Sequence, residues 1–273
     1  LLSLAVFAAV AAGVSFSFRK VSQSLYGSFA KHNYRMGKLK EDSLLAALCK
    51  REFRRYFSSS IYVANTIIGP VMGCVMAGAL LVSGIDILQG LLSLPVDLEG
   101  MVPFAAAGVL SMMPVTATTI SMEGKNWWIA KSLPLSVKNI LDGKILMNLL
   151  LILPFYVLSE LLLMIALRPG AWELLWLVLI PAVMILFSCV YGITVNLHFP
   201  VLEWESEVRI VKQSASAMLG GMGGFILTLL CALAVGSAPS EYAVYWKAGI
   251  CAAVLAVIAV LYRRNNRFDL TSL

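Results

Sequence analysis

Apolar residues form seven long stretches along the chain, separated by polar segments. The stretches cover about residues 1–18, 61–84, 101–121, 145–167, 174–197, 218–236 and 243–261. Each has close to the ~20 residues that an α-helix needs to cross about 30 Å of hydrocarbon. The stretches are continuous, whereas the strands of a membrane β-barrel alternate between apolar and polar residues. The pattern therefore predicts an all-α, polytopic bundle of about seven transmembrane helices.

The composition also indicates a membrane protein. Hydrophobic residues make up 60% of the chain and charged residues 13%, with a mean hydropathy of +0.86. Soluble domains carry about a quarter charged residues. The net charge of +6 is explained by loops that face anionic lipid headgroups, so we expect no nucleic-acid partner.

The basic residues predict the orientation of the bundle. Nineteen of the 21 Lys and Arg residues lie in segments that would share one side of the membrane, at residues 19–60, 122–144, 198–217 and 262–273. The other side keeps only Arg168 and Lys247. The positive-inside rule makes the first set cytoplasmic. We expect a multi-pass protein of the cell membrane, with its N-terminus outside and its C-terminus inside.

Motifs for catalysis or metal binding are not found in the sequence, so we expect neither catalytic residues nor metal ligands in this chain. Gly124-Lys125 is not part of a phosphate-binding loop, because Thr119 stands where that loop needs glycine and Asn126 follows the lysine. The chain starts with Leu1 inside an apolar stretch, without the basic start of a signal peptide. We interpret it as the C-terminal part of a longer protein.

The segment from Ser43 to Ser60 is predicted to form an amphipathic helix. At helical spacing Leu45, Leu48, Cys49, Phe53 and Tyr56 share one face, and Lys50, Arg51 and Arg54, with Arg55 at the edge, share the other. Such a helix lies at the membrane surface, with its arginines at phosphate level. A simple basic anchor before a span is the alternative. Glu52 falls within the apolar face, so we expect it to pair with a cation from elsewhere in the protein or to pack against a partner.

The polar segment after the third stretch contains the adjacent residues Trp127 and Trp128. A short helix is predicted over residues 123–131, because Pro134 must end it, and Ser136 is placed to cap the next helix. Tryptophans at membrane edges commonly anchor a helix at the interface. The other interpretation is a docking surface for a second protein, because large aromatic residues anchor protein interfaces.

Five short motifs mark residues 123–144: Glu123-Gly124-Lys125, Trp127-Trp128, Lys131-Ser132-Leu133-Pro134, Ile140-Leu141 and Gly143-Lys144. Together they resemble the intracellular loop of ABC-type exporter permeases of the ABC-2 class. Residues 50–66 are similar to the connecting helix of that family. Residues 198–216 are similar to a loop of large bacterial permeases that fuse two such domains.

This resemblance implies a transmembrane permease subunit of an ATP-driven exporter. Residues 61–261 would be a six-helix permease domain, 1–18 the last helix of a preceding half, 19–60 a cytoplasmic linker and 262–273 a cytoplasmic tail. A separate ATP-binding subunit would bind ATP and Mg²⁺ and would dock on this chain. The docking residues would be Glu123, Gly124, Lys125, Trp127, Trp128, Lys131 and Pro134. Membrane lipids and the other permease half, or a second copy of this chain, are the further expected partners.

Glu160 is the only carboxylate within a predicted span. An ionisable residue at that depth is a candidate functional site. It could instead extend to the outer interface or accept hydrogen bonds from a neighbouring helix. The alternative function is therefore an ion-coupled secondary transporter that uses Glu160. An intramembrane hydrolase is disfavoured, because the spans offer no nucleophile with a matching base.

Overall fold

The computed structural model describes residues 43–85, 98–112 and 114–270. The α-helices in these ranges are α1 (Leu44–Ser58), α2 (Ser60–Ser83), α3 (Leu98–Leu110), α4 (Trp127–Ser132), α5 (Val137–Leu167), α6 (Ala171–His198), α7 (Glu207–Gln213), α8 (Ala215–Gly236) and α9 (Ala243–Asn265). Short 3-10 turns occupy Val115–Ala117, Ser121–Asn126 and Ser240–Tyr242. The predicted all-α, polytopic membrane fold is confirmed. The predicted span at residues 1–18 and most of the basic linker lie outside the described residues.

Five helices among the described residues are long and apolar enough to cross a membrane. They are Ser60–Ser83, Val137–Leu167, Ala171–His198, Glu207–Gly236 (α7 and α8 together) and Ala243–Asn265. Each covers one of the predicted apolar stretches, except that Ser60–Ser83 ends one residue before the predicted end at Gly84. Helix α6 is the most buried of them, since 61% of its central apolar part is buried inside the protein. It is therefore the central helix of the bundle.

Helix α5 begins eight residues before the apolar stretch that predicted it. The side chain of Ser136 accepts a hydrogen bond from the backbone N–H of Asn139 at 3.3 Å, so it caps the helix as expected. The helix then continues to Leu167, and its 31 residues extend over about 46 Å. Because of this early start, Lys144 lies on the helix itself and not in a loop.

The stretch at residues 101–121 is not one helix, so the prediction of a continuous span there is wrong. Helix α3 ends at Leu110. Pro114, which cannot donate a backbone hydrogen bond, is extended with a ψ of 138°. The chain continues through two 3-10 turns as far as Asn126. We call residues 114–126 the broken segment.

Two buried amide side chains replace the missing helical hydrogen bonds of the broken segment. Asn148 of α5 accepts from the backbone N–H of Val115 at 2.8 Å. Asn196 of α6 accepts from the N–H of Ile120 at 2.7 Å and of Ser121 at 3.3 Å. Irregular backbone is tolerated inside a membrane bundle only where such partners exist, because lipid offers none.

Two glycines let the broken segment approach the neighbouring helices closely. A Cβ on Gly192 of α6 would lie 2.6 Å from the hydroxyl oxygen of Thr116, and one on Gly220 of α8 would lie 2.5 Å from the Cβ of Ala117. Both distances are shorter than van der Waals contact. Any larger residue at either position would therefore displace the broken segment.

Candidate functional site

Five charged residues from three elements meet at the end of the bundle where α5 begins. Arg51, Glu52 and Arg55 come from α1, Glu123 from the broken segment and Lys144 from α5. The Nζ of Lys144 lies 3.1 Å from the Oε1 of Glu52 and also pairs with Glu123. We call these five residues the charge cluster.

The two arginines complete the pairing of both carboxylates. The guanidinium of Arg55 lies 3.0 Å from the Oε1 of Glu123 and also pairs with Glu52. It donates to the backbone carbonyl of Thr119 at 3.2 Å and to the hydroxyl of the same residue at 3.0 Å. Arg51 donates to the other oxygen of Glu123 at 3.0 Å. One carboxylate, Glu123, thus binds three cations.

Burial makes these pairs mutually dependent. The side chain of Lys144 is 0% exposed and that of Glu123 is 1% exposed. Burial alone would raise the pKa of Glu123, but the charges of Lys144 and Arg55 lower it to about 2. Burial would lower the pKa of Arg55, but the nearby carboxylates raise it. Glu123 and Arg55 are therefore both charged at neutral pH, and removing either leaves its partners desolvated.

Helix α1 forms because Ser43 caps it and because one face packs on protein. The Ser43 side chain accepts from the N–H of Ala46 at 3.4 Å. On the buried face, Leu48 packs against Gly143 of α5, where a Cβ would lie 2.9 Å from the Leu48 Cβ. Tyr56 is 1% exposed. The apolar face that the sequence predicted is thus largely covered by the bundle.

Some charged residues of α1 pair with other residues of the protein, and others are exposed. Glu52 pairs with Lys144, which is a cation from elsewhere in the protein, as the sequence led us to expect. Arg51 and Arg55 bind carboxylates of the protein, which differs from the expected position at phosphate level. Lys50 and Arg54 are exposed. Contact of α1 with a membrane surface stays a prediction.

The short helix predicted over residues 123–131 is interrupted at Gly124, so its predicted bounds are wrong. Gly124 has a φ of +54°, in the region that glycine adopts with least strain. A Cβ there would lie 2.9 Å from the indole nitrogen of Trp204, which donates to the carbonyl of Ser121 at 2.8 Å. The chain therefore turns at Gly124, and α4 starts at Trp127.

The predicted docking residues separate into a buried and an exposed group. Glu123, Gly124 and Trp127 are buried, and the ring of Trp127 lies 6.0 Å from the Nζ of Lys144. Trp128 is 63% exposed. The exposed predicted residues are Lys125, Trp128, Lys131 and Pro134, and we call them, together with the exposed Ile129, the α4 surface. One tryptophan thus anchors α4 to the charge cluster, and the other faces outward.

Lys144 belongs to the charge cluster and Thr119 hydrogen-bonds to it, but neither was among the predicted site residues. A lysine just before an apolar stretch is usual at a membrane edge, so its position did not distinguish Lys144 from an exposed residue. The useful signal was Glu52, whose place on an apolar face required a cation from another segment. Thr119 carried no comparable signal.

Glu160 of α5 is 3% exposed, which does not fit a side chain that extends to an interface. Both of its carboxylate oxygens are buried without a hydrogen-bond partner. Such groups are costly and therefore rare unless they have a function. In the part of the chain that the structure describes, no three His, Cys, Asp or Glu side chains are grouped as metal ligands would be.

Comparison with known proteins identifies a family. The model of a family described as "Membrane protein of 12 TMs" matches residues 1–264. No curated protein and no solved structure matches the chain. The matched family is not an ABC-2 permease family, so the resemblance to ABC-2 exporters was wrong. The motifs behind that resemblance are short, and many of their residues are buried within the bundle, among them Glu123, Trp127 and Lys144.

Proposed function

We propose that this chain, which belongs to the family described as membrane proteins of 12 TMs, is a transport subunit. In this proposal a separate protein docks on the α4 surface and drives transport. The chain is a multi-span integral membrane protein. In this proposal the docked protein is cytoplasmic and binds and hydrolyses ATP with Mg²⁺.

The exposure of Trp128 carries the proposal. A tryptophan that is 63% exposed leaves a large apolar surface that the bundle does not cover, and the neighbouring Ile129 is 39% exposed. Tryptophan is among the residues that most often anchor protein interfaces. The exposed Lys125 and Lys131 lie on either side of Trp128 in the sequence, so the α4 surface suits a partner with an apolar pocket and an acidic rim.

The contacts that hold α4 on the bundle favour the transfer of motion from α4 to the membrane helices. Trp127 is 2% exposed and fixes α4 to the bundle, while Glu123 at its base is held by cations of α1 and α5. Buried ion pairs are costly to separate, so these elements are expected to move together. A push on α4 would therefore reach α5, which is long enough to cross the membrane, and the broken segment.

The test combines Trp128→Ala with Lys131→Glu in the full chain. Truncation of a buried aromatic anchor typically costs about 2 kcal/mol or more, which weakens a complex at least about tenfold. We expect the variant to lose the ATP-hydrolysing protein that co-purifies with the wild type from native membranes. Its content of folded protein is expected to be unchanged, because both substituted side chains are exposed.

The control is the double variant Arg264→Gln and Arg267→Gln, which removes the same two units of positive charge from other exposed residues. It should keep the partner. Equal retention of the partner by the wild type, the α4 variant and the control would show that the α4 surface is a membrane-edge anchor. That result would contradict the proposal.

A second candidate function is ion-coupled secondary transport through Glu160. The observation that favours it is the burial of both carboxylate oxygens without a hydrogen-bond partner. A carboxylate in this environment could bind and release a proton or a cation as the bundle changes shape. This mechanism needs no docked protein, so the co-purification experiment distinguishes it from the first proposal.

A further inference from the structure

A cavity of about 440 Å³ opens at the end of the bundle where α5 meets α6. It lies between the first residues of α6, the first residues of α9 and the start of α3. Lys144 and Arg168 are 24 positions apart along α5 and its C-cap, so the charge cluster lies about 36 Å away at the other end. The cavity is therefore separate from the α4 surface.

Among the side chains that the structure describes, three charged ones line this cavity: Arg168, Glu173 and Lys247. Arg168 and Lys247 are the two basic residues that the charge pattern places on this side of the membrane. Among the described residues, no carboxylate lies within ion-pair distance of either cation. Two cations and one carboxylate give the lining a net positive charge, which favours an anion.

The two cations of the lining can only donate hydrogen bonds. They are Arg168 and Lys247, and Trp176 also contributes to the lining. A ligand with several acceptor oxygens would satisfy both cations.

Arg168 holds an unusual backbone conformation for its residue type. Its φ of 48° and ψ of 51° are left-handed, and it is the only non-glycine residue with positive φ in the described ranges. A helix that ends in this conformation usually does so at glycine or asparagine, because a Cβ is strained there. Arginine at this position is therefore best explained by a use for its side chain.

We infer that this cavity binds the phosphate group of an anionic amphiphile, with Arg168 and Lys247 as donors. Leu167, Leu177 and the exposed ring of Trp172 also line the cavity, and they offer apolar surface to the rest of the ligand. Tryptophans at this level of a membrane bundle commonly lie among lipid headgroups. An anionic lipid headgroup and a free phosphate ester share this recognition chemistry.

The test measures binding of phosphatidylglycerol to the purified full chain in neutral detergent by native mass spectrometry. Arg168→Gly and Lys247→Gln are each expected to weaken binding about tenfold, because each removes a hydrogen bond between charged groups. Lys138→Gln, which neutralises an exposed lysine near the other end of α5, should bind like the wild type. Inorganic phosphate added as a competitor distinguishes a membrane lipid from a free phosphate ester as the ligand. Displacement of the lipid by phosphate supports a free phosphate ester, and resistance to it supports a membrane lipid.

Arg168→Gly also separates loss of binding from loss of folding. Glycine relieves the strain of the left-handed conformation, so this variant should unfold at a temperature no lower than that of the wild type. Weaker binding together with unchanged or higher thermal stability would support the inference. Wild-type affinity for phosphatidylglycerol in both Arg168→Gly and Lys247→Gln would overturn it.

Discussion

Replacing Glu123 with glutamine is expected to lower the free energy of unfolding by about 3–5 kcal/mol. Glu123 binds three cations in a space where its own side chain is 1% exposed. Glutamine keeps the shape but leaves Glu52 as the only carboxylate in a cluster with three cations. The measurement is unfolding of the purified protein in mixed micelles.

The control for this prediction is Glu205→Gln, at an exposed carboxylate, which should change stability by no more than about 0.5 kcal/mol. Adding Lys144→Met to Glu123→Gln should recover part of the lost stability, because it restores the balance of charge. An additive loss in the double variant would contradict the assignment of these two residues to one cluster.

Lowering the pH is expected to reduce the stability of the protein in the same way as Glu123→Gln, because it removes the charge of Glu123. Despite burial, Lys144 and Arg55 lower the pKa of Glu123 from 4.5 to about 2 in the folded protein. A carboxylate with a lowered pKa stabilises the fold above its unfolded pKa, and this contribution is lost as the pH falls through the folded value. The loss should therefore occur between about pH 4.5 and 2, and Glu123→Gln should show a shallower decline in that range.

Replacing Glu160 with leucine is expected to raise the free energy of unfolding by about 1–3 kcal/mol. The substitution removes two buried oxygens that have no hydrogen-bond partner and supplies an apolar side chain instead. Unfolding in mixed micelles measures the gain, and Glu205→Leu is the exposed control. A stabilised variant that has lost pH-dependent transport would favour the ion-coupled mechanism, because a site kept at a cost to stability has a function.

The opposite outcome for Glu160 is also informative. A loss of stability in Glu160→Leu would show that another group binds the carboxylate in the assembled protein. That result would contradict its interpretation as an unpaired residue and would remove the observation that favours the second candidate function. Unchanged pH dependence of transport in a stable variant would remove it as well.

The long helices were predictable from the sequence because their signal is local. A continuous apolar stretch of about 20 residues specifies a span by itself. The broken segment was not predictable in this way, since residues 101–121 form a stretch without charged residues that is also long enough for a span. Its geometry depends on Asn148 and Asn196, which lie 33 and 76 positions away along the chain from the residues they bind.

The sequence indicated that Glu52 pairs with a cation and that two tryptophans mark the site, but it did not identify the residues that they contact. Glu52 on an apolar face indicated a missing cation, but Lys144 is 92 positions away, so only the fold could identify it. The sequence does not distinguish Trp127 from Trp128. Burial of one and exposure of the other depend on how α4 packs on the bundle. The turn at Gly124 likewise depends on Trp204, which comes from a different loop.

Cysteine accessibility in intact cells tests most directly whether the α4 surface is cytoplasmic, as docking of an ATP-hydrolysing protein requires. Single cysteines at Lys131 and Trp172, both exposed and at opposite ends of the bundle, are placed in a chain whose five natural cysteines are replaced. An impermeant thiol reagent should label Trp172→Cys in intact cells and Lys131→Cys only after permeabilisation. Labelling of Lys131→Cys in intact cells would contradict the orientation and, with it, the proposed docking of a cytoplasmic partner.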